Sequence, residues 1–373
     1  MSRLVLHKIE RTSPSLWTHM RLCGLRAALV ATPQAGEWVL HDPRRWLGSA
    51  FHAVMQTLRS GGTQSPEEIW DAEIASAIRT ALAHPLDRRF SSPPRWPSYF
   101  LVRQRSLSLA SQTPRRKPQA VAQVGTFPPS TRYGAERRYE ARKGQLVGKP
   151  DYYDGDTLTE YTSSLPDPLW AGAVDIIDGF KRQLRIYAAI IAEANGRWPT
   201  GARIIAASGQ KLEIAISPSD CDHEADEAVA ALNKLNQHLT SAYDPDTIAS
   251  PSPSHCASCD YKIICPVFWK ALSNGDLQDI KTAAIEGILT ALQDGQDGDL
   301  YTAELKAISS SRTTNANQQI VLRKSIHGEL RHASIGETIR LIDFVVRADG
   351  RVRAEVETIV AATANIPAIS TDT

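Results

Sequence analysis

Cysteine is scarce in this chain and unevenly placed: of five in 373 residues, three fall in one short loop, as Cys256, Cys259 and Cys265. Their spacing, C-x2-C-x5-C, presents several sulfurs from a tight loop to one centre, the habit of a thiolate ligand set rather than of a disulfide framework. A fourth thiolate must come from elsewhere, and Cys23 is the natural candidate, whereas Cys221 reads as a small core or surface residue. Such a centre would tie the start of the chain to a loop more than two hundred residues downstream. An iron–sulfur cluster and a zinc ion with four thiolates both suit this spacing.

A second group that could do chemistry is acidic. Gly148-Lys149-Pro150-Asp151 and Thr157-Leu158-Thr159-Glu160-Tyr161-Thr162 flank the segment Asp154-Gly155-Asp156. If Gly155-Asp156 is a two-residue turn with glycine leading, the hairpin is of type II′ and Asp154 faces Thr157. Pairing outward from there sets Asp151 directly opposite Glu160 and Lys149 opposite Thr162. Directly opposed side chains share a face, with Cβ atoms about 5 Å apart. Two carboxylates that close repel unless a cation lies between them, and oxygen ligation favours Mg2+ or Mn2+. Two solvated hairpin acids are the alternative reading.

The elements that must position these groups can be read from pattern. A helix is expected from about 12 to 30, with Ser13 as N-cap, Pro14 in the first turn, and Leu16, Met20, Cys23 and Ala27 on one face. Further helices are expected to contain 47–58 and 66–83, followed by a Pro/Arg/Ser-rich connector from 85 to 129 holding one helix near 99–109. A β-meander over 135–142, 145–154 and 157–163 follows. The helix over 178–194 puts Phe180, Leu184, Tyr187, Ala188 and Ile191 on one apolar face. A hairpin over 202–217, a helix over 222–239 and the cysteine loop close the first unit, residues 1–272. The remaining unit, 273–373, holds five strand-like runs (281–292, 300–308, 318–324, 337–347, 351–361) and a flexible C-terminal tail. It reads as a small OB-like β-barrel, with a five-stranded sandwich or SH3-like barrel as the alternative.

Apolar content of 42% and charged content of 22% are those of a soluble globular protein. No apolar run approaches the ~20 residues of a membrane span and the first residues lack a signal-peptide layout, so the reducing cytoplasm is the expected location. The net charge of +1 hides a basic stretch: from Arg88 to Lys149 there are fourteen Lys and Arg, against only Glu136 and Glu140 as acids. Trp96, Tyr99, Phe100, Tyr133 and Tyr139 are interleaved with them. Cations with stackable rings suit a single-stranded nucleic acid groove; a solvated surface with a basic loop is the plainer reading.

Taken in order, these motifs resemble the PD-(D/E)XK nuclease superfamily, most closely its RecB-like branch, which includes the CRISPR-associated iron–sulfur exonucleases and AddB-type subunits. The resemblance spans roughly residues 12–270. It rests on Ser13-Pro14-Ser15 leading to Cys23, G-x-x-x-H at Gly48 to His52, G-x-x-D at Gly148 to Asp151, a partial E-x-K at Glu160 to Thr162, Q-x-x-x-Y at Gln183 and Tyr187, and the closing cysteines. It implies a restriction-endonuclease-like α/β core, a mixed sheet flanked by helices and clasped by a 4Fe-4S cluster on Cys23, Cys256, Cys259 and Cys265. It also implies a Mg2+ or Mn2+ ion on His52, Asp151, Glu160 and the Tyr161 carbonyl, with Gln183 and Tyr187 orienting the site or touching DNA. The implied activity is phosphodiester hydrolysis on single-stranded DNA or DNA ends, in repair or defence, with a helicase-type partner by analogy. One departure stands out. The family's catalytic lysine falls at Thr162, and Lys149, directly opposite in the hairpin, is the candidate substitute; Lys181 is poorly placed, about 200° around its helix from Gln183. A non-catalytic DNA-binding subunit is the rival, and the C-terminal barrel can also be read as a protein-docking domain.

Overall fold

Proline and a polar cap set the start of most helices in the computed structural model, which describes residues 3–115, 134–167, 173–240, 244–277, 279–295, 298–312, 316–348 and 350–371. After strand β1 (Arg3–Leu6), helix α1 (Pro14–Leu22) follows Ser13, whose hydroxyl accepts from the Leu16 N–H. The backbone then turns extended at Cys23 (φ −167°, ψ 121°) before α2 (Gly24–Ala31) begins. The single helix expected over 12–30 is therefore two. Gly24 makes the junction possible, because a Cβ there would stand 2.8 Å from the Ile248 carbonyl oxygen. Helix α3 (Pro43–Ser60) is capped by the Asp42 carboxylate on the Arg44 N–H and ended by Gly61 at φ 80°. Leu47, Phe51, Val54, Met55 and Leu58 form its buried stripe, and His52 emerges beside it. Helix α4 (Pro66–Ala83) begins with a Ser65–Glu68 capping box, and α5 (Tyr99–Gln112) packs alongside.

The expected meander is more broken than the pattern implied. β2 (Gly134–Ala135), β3 (Tyr139–Ala141), β4 (Leu146–Gly148), β5 (Tyr152–Tyr153) and β6 (Thr157–Thr162) alternate with positive-φ corners at Glu136 (52°), Arg142 (52°) and Lys143 (55°). Pro150, which has no N–H for a ladder, separates β4 from β5. Helix α6 (Ala173–Asn195) then carries the chain to β7 (Gly201–Ala206), which lies parallel to β6, and β8 (Lys211–Ile214) turns back against β7. The sheet order is β2-β5-β6-β7-β8, with β3 and β4 as a separate ribbon. Helices α6 and α7 (Pro218–Thr240) cover one face, packing Ile190 and Ala228 against Leu158 and Ile204. Helices α3 to α5 cover the other, packing Phe51, Trp70 and Ala110 against Tyr152, Tyr161 and Ile205. Short helices α8 (Pro245–Ile248), α9 (Pro253–Ala257) and α10 (Pro266–Ser273) carry the cysteine loop.

Beyond α10 come β9 (Ala284–Asp294), β10 (Leu300–Ser310), β11 (Asn317–Arg323), a turn of helix α11 (Lys324–His327), β12 (Thr338–Ile342), β13 (Val345–Val346), β14 (Val352–Arg353), β15 (Ile359–Ala362) and β16 (Ala368–Thr371). Seven of these strands form one curled half-barrel in the order β13-β14-β11-β10-β9-β12-β15, rather than the five expected. The run 337–347 is split at Asp343, whose φ of 59° breaks the strand. The stretch expected as a free tail is strand β16, which pairs in parallel with β1 from Arg3↔Ala368 to Leu6↔Thr371. Leu4, Leu6, Leu25, Phe268, Ile342 and Ile366 share one core, so chain start, cysteine loop and C-terminal sheet pack together. Arg340 reinforces that junction, donating to Glu286 at 2.8 Å and to the Ile263 carbonyl at 3.1 Å over the Trp269 ring. Among the described residues no helix is long and apolar enough to cross a membrane.

Two stability predictions follow from this packing. A Cβ on Gly148 would meet Ile190 Cδ1 at 2.8 Å and Tyr187 Cδ1 at 2.9 Å. Gly148→Val is therefore expected to lower the unfolding free energy by about 1–3 kcal/mol in urea titrations. Gly179→Ala on α6, where a Cβ meets nothing within 4 Å, should be neutral or stabilising. In the C-terminal sheet, buried His327 has Nε2 3.2 Å from the Thr358 carbonyl and Nδ1 accepting from the Arg323 N–H. Burial holds its pKa down to about 4 from the ordinary 6.5. The unfolded chain takes up this proton first, so stability is intact above pH 6.5 and lost as pH falls toward 4. The loss is at most about 3 kcal/mol, and His327→Gln should flatten the urea midpoint across that window.

Candidate active site

The β5–β6 hairpin builds the site. The Asp154 carboxylate caps the turn, accepting from the Asp156 and Thr157 N–H groups at 2.9 and 2.7 Å, and Gly155 takes a φ of 107°. Tyr153 pairs with Leu158 and Tyr152 with Thr159, so one further step sets Asp151 against Glu160, the register read from the turn. Each carboxylate is held by a backbone N–H of the opposite strand: Asp151 N–H donates to Glu160 Oε1 at 3.0 Å and Tyr161 N–H donates to Asp151 Oδ2 at 2.7 Å. The second Asp151 oxygen lies 3.1 Å from His52 Nδ1 on α3. The Tyr161 carbonyl also accepts from the His52 ring. His52, Asp151, Glu160 and the Tyr161 carbonyl are thus brought together.

Helix α6 closes the other side. The Tyr187 hydroxyl donates to the Lys149 carbonyl at 3.4 Å and is hydrogen-bonded by the Gln183 side chain. Gly148 is what lets the Tyr187 ring come this near the hairpin. Burial first, then the charge of Glu160, pushes the Tyr187 phenol well above its ordinary pKa.

The electrostatics of the pair are unfavourable without a cation. Glu160 is part-buried, and burial followed by the Asp151 charge pushes its pKa well above the usual carboxylate value. Two like charges about 4 Å apart near a protein surface repel by about 4 kcal/mol, more than the roughly 1.5–3 kcal/mol a charged hydrogen bond returns. Burial pulls the His52 pKa down, but the Asp151 hydrogen bond and the Asp151 and Glu136 charges outweigh it and leave it raised. Two carboxylates, a carbonyl and an imidazole form a donor set for a hard or borderline dication.

Sequence reasoning missed Glu136. Its N–H donates to the Asp151 carbonyl at 3.1 Å, and its charge is felt by His52, Glu160 and Tyr187. An acid standing almost alone in a basic stretch was the available signal. Glu136 also changes the reading of Lys149, whose ammonium is ion-paired with it rather than turned to Asp151 or Glu160. The Thr162 hydroxyl is spent on the Ser164 carbonyl, and Lys181 pairs with Asp178. The basic stretch is partly neutralised as well. Arg142 binds Glu193, Asp222 and Asp226, and Arg115 donates to the Gly62 and Gln64 carbonyls. Arg116, Lys117 and Tyr133 lie outside the described residues.

Cys23, Cys256, Cys259 and Cys265 line one cavity between α2 and the cysteine loop, together with Arg26, Lys262 and Phe268. Backbone N–H groups of Ser250 and Phe268 point at the Cys23 and Cys265 sulfurs at 3.5 and 3.4 Å. Burial, then the charge of neighbouring cysteines, pushes the Cys265 thiol up; burial with its neighbours takes Cys259 to about 11. Among the described residues no three of these sulfurs lie within 4.8 Å of one another, a looser set than the spacing suggested. Cys221 is buried in the core beneath α7.

No curated protein matches the chain. Residues 11–266 do match the PD-(D/E)XK nuclease superfamily. That span runs from just before α1 to the first residue of α10, so it takes in His52, both hairpin acids, Gln183, Tyr187 and the four cavity cysteines. With more than half of its length matched and a helix-flanked mixed sheet carrying the acid pair, the chain belongs to the PD-(D/E)XK nuclease superfamily.

Proposed function

We propose that this chain is a Mg2+- or Mn2+-dependent DNA nuclease of the RecB-like branch, acting on single-stranded DNA or DNA ends. The observation that carries the reading is the part-buried Asp151–Glu160 pair with His52 Nδ1 3.1 Å from Asp151. His52, Asp151, Glu160 and the Tyr161 carbonyl would hold the ion. An ion there supplies Lewis-acid polarisation of the phosphate and a lowered pKa for water. The protein's part is to hold these donors in place: backbone N–H groups fix both carboxylates, and Gln183 with Tyr187 fixes the hairpin edge against α6. With Thr162 uncharged, Lys149 is the hairpin amine able to face a phosphate once it exchanges Glu136 for the incoming anion.

The four cysteines would hold a 4Fe-4S cluster with a structural role. Tetrahedral zinc, with Zn–S of about 2.3 Å, needs all its sulfurs about 3.8 Å apart. The N–H groups aimed at sulfur suit thiolate ligands, and the choice of a multi-iron centre rests on the C-x2-C-x5-C spacing with Cys23. The unit 1–272 would cut, and the C-terminal sheet, 273–373, would extend the DNA path as an OB-like surface. One observation favours a non-catalytic DNA-binding subunit instead: Thr162 carries no charge and Lys149 is engaged by Glu136.

With 5′-labelled single-stranded DNA and Mn2+, the wild type is expected to cleave and Asp151→Ala to lose more than about 100-fold in rate. Lys149→Ala should cost about 10-fold, with Thr162→Lys in that background restoring activity. Binding with no cleavage by the wild type would select the non-catalytic reading. By calorimetry, Glu160→Gln should weaken Mn2+ binding by at least about 10-fold; an unchanged isotherm would remove Glu160 from the ligand set.

A further inference from the structure

A second cluster of ligand-type side chains lies outside the hairpin site and the cysteine cavity. His41, His84 and Asp87 each bring one ligand atom to within 4.8 Å of the others. His41 Nδ1 stands 2.5 Å and His84 Nδ1 3.2 Å from the same Asp87 oxygen, Oδ2. We propose that His41, His84 and Asp87 form a binding site for one transition-metal dication of the zinc class, separate from the oxygen-rich site of the hairpin.

Four observations support it. The ligand types are right, since two imidazole nitrogens and one carboxylate oxygen suit Zn2+ and its late first-row neighbours rather than Mg2+. At metal–ligand distances of about 2.0–2.2 Å, donors in one tetrahedral sphere stand about 3.4 Å apart. The His84–Asp87 spacing already matches, and His41 need withdraw by only about 1 Å. The supporting contacts are those of a ligating histidine. His84 Nε2 faces the Glu37 carbonyl, which can only accept, so Nε2 carries a proton, and Nδ1, held toward Asp87, is the nitrogen that would ligate once an ion displaces any proton it shares with the carboxylate. His41 is stacked on Trp46 with ring centroids 5.6 Å apart. Finally, Asp87 is 0% exposed and its second oxygen, Oδ1, accepts no hydrogen bond and makes only a long ion pair with Arg89, at 4.0 Å. A wholly buried carboxylate with one oxygen free of hydrogen bonds has an acceptor to offer a dication.

The site has an approach route. His84 lines a cavity of about 790 Å3 whose opposite wall is the C-terminal sheet with His332 and Glu337. It also has a structural consequence. His41 immediately precedes the Asp42 cap of α3, the helix that carries His52, and His84 caps the end of α4. An ion held here would pin the start of α3 to the end of α4, beside the C-terminal sheet.

The test uses the full chain in excess Mg2+, with Zn2+ as the probe. In Zn2+-soaked crystals, anomalous difference maps at the zinc edge should show a peak bounded by His41, His84 and Asp87. By equilibrium dialysis the wild type should bind one more Zn2+ than His84→Ala or Asp87→Ala, with affinity at this site falling more than about 100-fold. Cys256→Ser should leave that difference intact, which separates this ion from any zinc taken by the thiols. No peak at the triad while Zn2+ appears elsewhere, or equal stoichiometry in wild type and folded variants, would overturn the proposal and leave a hydrogen-bonded His–Asp–His cluster. If a variant fails to fold, the wild-type map decides alone.

Discussion

Repulsion between two part-buried carboxylates is the constraint around which residues 11–266 are organised. Asp151 and Glu160 face each other across a single hairpin step, and both are part-buried, so water shields their charges only incompletely. Several features of the fold read as means of holding that arrangement. Asp154 and Gly155 fix the turn, so the register cannot slip by the one residue that would send the acids to opposite faces. Pro150 ends the ladder just before Asp151, freeing its N–H to reach the Glu160 carboxylate. Gly148 admits the Tyr187 ring, and α3 delivers His52 from the opposite helical layer.

Much of this was legible in the sequence because it is local. The turn residues specify the hairpin, and the hairpin specifies which side chains share a face. The helices were legible where an apolar stripe coincides with a cap, as for α3 and α4. What the pattern could not carry was long-range or conformational. Nothing in 368–371 announces that it will pair with 3–6, because the partner lies at the other end of the chain. The splitting of 337–347 depends on Asp343 adopting a positive φ, which aspartate permits without requiring. Glu136 reaches the site only because its own positive φ turns the chain under Asp151. The ion pair it makes with Lys149 is invisible to a register argument, which fixes faces and not rotamers.

The same separation between local and long-range signals applies to the scaffold. Cys23 sits at a break between two helices that pattern alone would fuse, and that break turns its sulfur toward Ser250 and the cysteine loop. The strand pair β1–β16, the shared core around Phe268 and Ile342, and Arg340 at Ile263 all join the same region. The start of the chain is thereby fastened twice, once at the cysteine cavity and once at the C-terminal sheet. The helices that present His52 and Gln183 rest on this fastened base, which is how residues distant in sequence hold one small constellation of donors.

The Asp151–Glu160 pair is stable as two anions only with a cation between them. Difference infrared spectroscopy on protein carrying 13C-labelled glutamate reads this directly through the carboxyl stretch of Glu160, assigned by its loss in Glu160→Gln. A protonated Glu160 band is expected in metal-free protein at a pH where an ordinary glutamate is already ionised, converted to the carboxylate band on adding Mg2+ or Mn2+. A Glu160 already ionised in the metal-free protein, and indifferent to either ion, would contradict it.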